Sequence, residues 1–135
     1  MTIRQIKSIK RPIILILALL LSSISIAGQK PKDDPCPNAQ SQLEMNQCAG
    51  NAYKAADSEL NQTYRKLIAM LDAEDKAQLK VVQTAWLKYR DAHCEFVGDQ
   101  YKGGSIRPMI HAFCLADVTR NRTTELKGQI EDRDQ

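Results

Sequence analysis

From Met45 onward the apolar and small positions recur every three or four residues, through Ala49, Tyr53, Ala56, Leu60, Leu67 and Leu71, with no proline among them. This spacing lines one face of an α-helix and predicts a long first helix. Ser41 and Glu44 have the three-residue separation of a capping box, which predicts its start, and the end falls near Leu71. The acidic LDAED segment breaks the pattern, and Asp72 or Asp75 can cap a second helix and sit favourably at its positive dipole end. A second seam then steps by three and four through Leu79, Val82, Trp86, Tyr89, His93 and Phe96 and runs out at Tyr101. KGGS supplies the next turn, with Ser105 as the expected cap, and Pro108 fits only inside a first helical turn. A third helix continues to about Ile130. On it Ile110, Phe113 and Cys114 lie on a different side from Leu115, Thr119, Arg122 and Leu126, which predicts a helix that bends or is gripped on two sides. No run alternates with a period of two. The expected fold class is therefore all-α, a small antiparallel three-helix arrangement.

Polar residues interrupt this pattern where it should be driest. Gln83 and Arg90 flank Trp86 on the second helix. If the first two helices form a hairpin turning at Ala73 and Glu74, Asp57 stands level with Arg90 and Tyr64 level with Gln83. A half-buried guanidinium needs several acceptors, which Asp57 and Asn61 offer, and Gln83 can bond the Tyr64 hydroxyl. The expectation is a structural polar network of Asp57, Asn61, Tyr64, Gln83, Trp86 and Arg90 that fixes helix register.

The first 27 residues read as something other than fold. Arg4, Lys7, Lys10 and Arg11 precede the apolar run Ile13 to Leu21, which is too short for a stable membrane anchor, and Ser25 and Ala27 provide the small residues of a signal-peptidase site. Cleavage is expected after Ala27, giving a signal peptide over 1–27, an extended Pro- and charge-rich lead-in over 28–40, a helical domain over 41–131 and a tail over 132–135. No stable membrane anchor would remain, and the mature protein would be periplasmic or secreted. Removing the four basic residues leaves 15 Lys+Arg against 16 Asp+Glu, a net charge of −1 in place of +3. A near-neutral chain has no broad positive field for nucleic acid or anionic membranes.

About a hundred residues make one small domain, for which cross-links matter. Cys36, Cys48, Cys94 and Cys114 give an even count, and in an exported chain that reads as two disulfides with three connectivities. Around a hairpin centred near Gly104, Cys94 and Cys114 stand at equal height, leaving Cys36 for Cys48. Equal height does not align the Cβ vectors, so a crossed pairing stays open. No C-x-x-C is present, which removes the motif for thioredoxin-like redox chemistry or haem attachment.

The same blocks carry a resemblance. C-x11-C, AADSELNQTYRKL, QTAWLKYRDAHC, YKGGSI and C-x4-T-x2-R-x3-L, in that order from Cys36 to Leu126, resemble the lysozyme inhibitor LprI-like family of small exported domains. The resemblance implies a helical, disulfide-stabilised envelope protein with c-type lysozyme as its partner. It carries no inhibitory residue onto a numbered position here. The first cysteine lies well beyond the cleavage site, so the lipid-anchor cysteine of the named member is missing.

Lysozyme works through two carboxylates in a cleft. The loop best suited to enter it is Lys102, Gly103, Gly104, Ser105 and Arg107, where two cations could meet the acids and the glycines let the backbone approach closely. The plain alternative is an ordinary interhelical turn. His93, Cys94, His111 and Cys114 have the composition of a Cys2His2 site, but an oxidising compartment favours the disulfide, and neither metal nor cofactor is expected. Glu95 and Asp99 resemble paired catalytic acids, yet a solvated charged face explains them better. Without G-x-S-x-G, H-E-x-x-H or a phosphate loop, an enzyme is not expected. The second functional reading is a non-catalytic structural or adaptor module of the envelope with an unknown protein partner.

Overall fold

A computed structural model describes residues 35–135; the predicted signal peptide and most of the lead-in lie outside the described residues. Three helices fill the described chain: α1 (Gln42–Met70), α2 (Ala73–Asp99) and α3 (Arg107–Glu131), with two disulfides and no strand among the described residues. The all-α three-helix expectation holds.

Each boundary has a local cause. Ser41 Oγ accepts from the Glu44 amide at 3.2 Å while Glu44 Oε2 accepts from the Ser41 amide at 3.1 Å, which is the expected capping box. Of the two aspartates that could open α2, Asp72 does so, accepting from the Asp75 amide at 2.9 Å. The third start differs from expectation. Ile106 occupies the N-cap position with no side-chain cap, and Pro108 falls in the first turn. Ser105 is instead held through its backbone, its carbonyl accepting from Asn46 Nδ2 of α1 at 3.2 Å.

The turns make α2 antiparallel to both of its neighbours, so α1 and α3 run parallel. Gln42 meets Met109 near one end and Glu59 meets Lys127 further along, in the same chain direction on both helices. These two helices share no turn, yet theirs is the most extensive packing in the molecule; α2 packs on α3 less extensively, and α1 and α2 barely approach at the backbone. Buried small residues explain the close pairing: Ala49, Ala56 and Thr63 on α1, and Ala116, Thr119 and Thr123 on α3. α3 is thus the helix gripped on two sides.

Three levels succeed one another along the bundle. Near the α1–α2 turn, Leu60, Leu67, Leu71, Leu79, Leu126 and Ile130 form the apolar core, with Tyr64, Ile68 and Trp86 against it. The middle is polar and holds the buried Arg90 and Arg122. At the far end Cys94 is bonded to Cys114, with Cα atoms 5.5 Å apart, and Cys36 is bonded to Cys48, with Cα atoms 6.0 Å apart, so the expected pairing holds over the crossed one. Gly98 keeps α2 close to α3 there, because a Cβ would come within 3.3 Å of His111 Cβ.

The expected α2 seam is corrected in one respect. Leu79 is buried and Trp86 and His93 are partly so, but Val82, Tyr89 and Phe96 are exposed. The inward line is Leu79, Gln83, Trp86, Arg90, Cys94 and Gly98. Hydropathy misjudges it because two members are polar and a third is covalently bonded, so tertiary partners rather than apolarity put them inside.

Candidate functional site

The α2–α3 connection grows directly out of the helix ends. Tyr101 and Lys102 amides donate back to Gly98 and Asp99 carbonyls at 2.9 and 3.2 Å, and the Gly104 amide donates to the Tyr101 carbonyl at 2.9 Å. Gly103 sits at φ +81°, a left-handed conformation that glycine takes without steric cost, which explains why this residue is at the corner. Residues 101–105 are all exposed, so the loop projects from the bundle.

Its two cations have different fates. Lys102 is exposed and makes no ion pair among the described residues. Arg107 turns back onto α2, its Nη2 donating to Asp99 Oδ1 at 2.9 Å and also to Glu95 Oε1. The hydrogen bond to Asp99 and then the charge of Glu95 hold the Arg107 guanidinium above its ordinary pKa. Glu95 also faces His111, whose Nε2 lies 3.5 Å from Glu95 Oε2. Glu95 and Asp99 therefore serve as anchors for the start of α3, with Arg107 as the clasp at the loop's base.

Behind the loop stands the polar frame. Arg90 is only 7% exposed, and its guanidinium lies 5.4 Å from the Tyr53 ring centroid and 5.3 Å from that of Trp86, so two aromatic faces enclose it. Nη1 meets Asp57 Oδ1 at 3.4 Å, while Nε and Nη2 both reach Asp91 Oδ1 at 2.9 Å. Asn61 does not supply an acceptor to Arg90. It donates instead to the Asp57 carbonyl and to Asp57 Oδ2, at 2.8 and 3.0 Å, and so orients the carboxylate. Gln83 turns to α3 rather than to Tyr64, its Oε1 accepting from Arg122 Nε at 3.1 Å. Tyr53, Asp91 and Arg122 are members that sequence reasoning leaves out of this network. Spacing places Tyr53 wholly in the α1 seam and Arg122 in that of α3, where it meets Gln83 of α2 and Glu125 of its own helix. Burial of Tyr53 pushes its phenol above the ordinary value, with Arg90 opposing and Asp57 and Asp91 adding to the rise.

His93 stacks on Tyr89, with ring centroids 5.5 Å apart, and the Cys94–Cys114 bond takes both sulfurs out of the thiolate form that a metal would need. What remains is a polar frame with a projecting loop, turned at Gly103, whose Lys102 makes no ion pair among the described residues.

The chain matches the family model for lysozyme inhibitor LprI over residues 33–126, from the lead-in cysteine through most of α3. It belongs to the LprI family. An uncharacterised protein of Rhizobium meliloti (strain 1021) is 41% identical over 128 residues, a match that covers 85% of this chain and 92% of the relative. No solved structure matches. The matched span contains both disulfides, the polar frame and the α2–α3 loop, while Lys127, Ile130 and the end of α3 lie beyond it.

Proposed function

We propose that this LprI-family protein is an exported, non-catalytic inhibitor of c-type lysozyme that occludes the enzyme's cleft with its α2–α3 loop. The family match carries the inhibitor reading. The loop is favoured as the contact because Lys102 stands exposed beside Gly103 and Gly104, while the other loop cation, Arg107, is already bound by Asp99 and Glu95. In this reading Lys102 meets the acidic residues of the cleft, and Arg107 holds the loop's base. Export rests on the signal-like opening of the sequence together with the family; among the described residues no helix is long and apolar enough to cross a membrane.

Competition tests the mechanism. A saccharide that fills the cleft should displace the protein from c-type lysozyme, and Lys102→Glu should weaken the complex. A complex that forms equally well with the cleft filled would refute occlusion.

A further inference from the structure

The correction to the α2 seam exposes an unpartnered face. Val82, Ala85, Tyr89, Ala92 and Phe96 succeed one another at steps of three and four and are all exposed, about 120° round the helix from the buried line. Phe96 is 72% exposed and Tyr89 57%. A stripe of this spacing is what one helix presents to another. Its sizes alternate, with large residues at positions 82, 89 and 96 and alanines between them.

We propose that this protein self-associates through α2 as an antiparallel two-fold pair, with Phe96 of each copy seated over Ala85 of the other. Three observations select a second copy as the occupant. An open depression of about 390 Å³, lined by Lys80, Val81, Thr84, Ala85 and Lys88, flanks the stripe and meets it at Ala85, and the exposed Phe96 ring lies at the stripe's other end. Knob and hollow on one helix close on each other only through a two-fold axis. In the register that places Phe96 over Ala85, Tyr89 falls against Ala92, so the central layers each set an aromatic ring on an alanine, with Val82 at the seam's end opposite Asp99. Charge completes the fit: on one flank of the stripe Lys88 precedes Glu95, and antiparallel packing brings Lys88 of one copy beside Glu95 of the other, twice. In a parallel pair this flank of one copy would face the opposite flank of the other, so Lys88 and Glu95 would not meet. Glu95 remains more than half exposed despite its contact with Arg107, so it is accessible to a second cation. The dimer would carry its two α2–α3 loops at opposite ends.

Sedimentation equilibrium of the oxidised protein without lysozyme tests this independently of the inhibitor reading. The expected result is a concentration-dependent rise to twice the monomer mass. Phe96→Ser should abolish the rise and Lys88→Glu should weaken it, while Leu43→Ser, at an equally exposed apolar site on α1, should leave it intact. Phe96 is exposed, so folding should survive, and the circular dichroism spectrum checks that. A strictly monomeric wild type, a dimer indifferent to Phe96→Ser, or one lost with Leu43→Ser would each overturn the proposal.

Discussion

Arg90 is where the fold depends most on one polar side chain. Replacing it with Met keeps the aliphatic stem and removes the guanidinium, and the cost can be assembled from its surroundings. Two partly desolvated ring contacts, to Tyr53 and Trp86, contribute about 1 kcal/mol each. The pairs with Asp57 and Asp91 together add about 1 kcal/mol or less, because those carboxylates are 40% and 63% exposed and water screens them. Asp57 is not stranded by the change, since it keeps solvent and the Asn61 amide, so no buried-charge penalty of several kcal/mol arises. Arg90→Met should therefore destabilise by about 2 to 3 kcal/mol. Arg90→Ala should cost about 1 kcal/mol more through the lost stem, and Arg90→Lys less than Met, since a point charge keeps one ring contact or the ion pair. Urea unfolding with disulfides intact reads this directly. With a slope of about 1 to 3 kcal/mol per molar for a domain this size, the Met midpoint falls by roughly 1 M. Trp86, the chain's single tryptophan, lies beside the site and reports its loss, and circular dichroism separates local from global change. A Met variant within about 0.5 kcal/mol of wild type would show that the enclosed cation contributes nothing net, an outcome known for some buried polar clusters.

The same packing leads to three further outcomes. Leu67→Ala, at a fully buried position in the apolar core, should cost about 3 kcal/mol in the same urea assay. Thr119→Val should leave stability unchanged or raise it by about 1 kcal/mol, because the buried Thr119 hydroxyl has no hydrogen-bond partner among the described residues and its removal forfeits nothing; a clear loss of stability would contradict this. Tyr53, whose phenol is raised above its ordinary value near 10, prefers the protonated form when folded. Its contribution is therefore complete below the ordinary phenol pKa and is lost as pH rises through the higher folded value, so Tyr53→Phe should flatten the alkaline limb of the stability curve. Equal limbs in both proteins would contradict that assignment.

The sequence shows some of this architecture directly and hides other parts for definite reasons. Helix ends are legible because caps are local: Ser41 with Glu44, and Asp72 with Asp75, act across three residues. Ser105 misleads as a cap because an α1 asparagine, distant in sequence, takes its carbonyl. Hairpin counting brings Asp57 to Arg90 and Cys94 to Cys114, since a turn fixes the heights of the helices it joins. Counting says nothing about α1 against α3, which share no turn, so their parallel packing is hidden; Gln83 and Arg122 stand near the same height across the α2–α3 turn, and Gln83 takes that partner in place of the expected Tyr64. Two sides of α2 trade places for a related reason. Hydropathy ranks Val82, Tyr89 and Phe96 above Gln83 and Arg90, whereas the partners on α1 and α3 bury the polar line and leave the apolar stripe outside. The loop is legible as a turn from its glycines, but the fate of Arg107 is not, because its acceptors lie 8 and 12 residues back on the far side of that turn.

Titration of c-type lysozyme activity with the oxidised protein tests the inhibitor reading most directly. The account predicts stoichiometric loss of activity with wild type, weakened by Lys102→Glu while the circular dichroism spectrum stays unchanged. Full enzyme activity at large molar excess of the folded protein would contradict it.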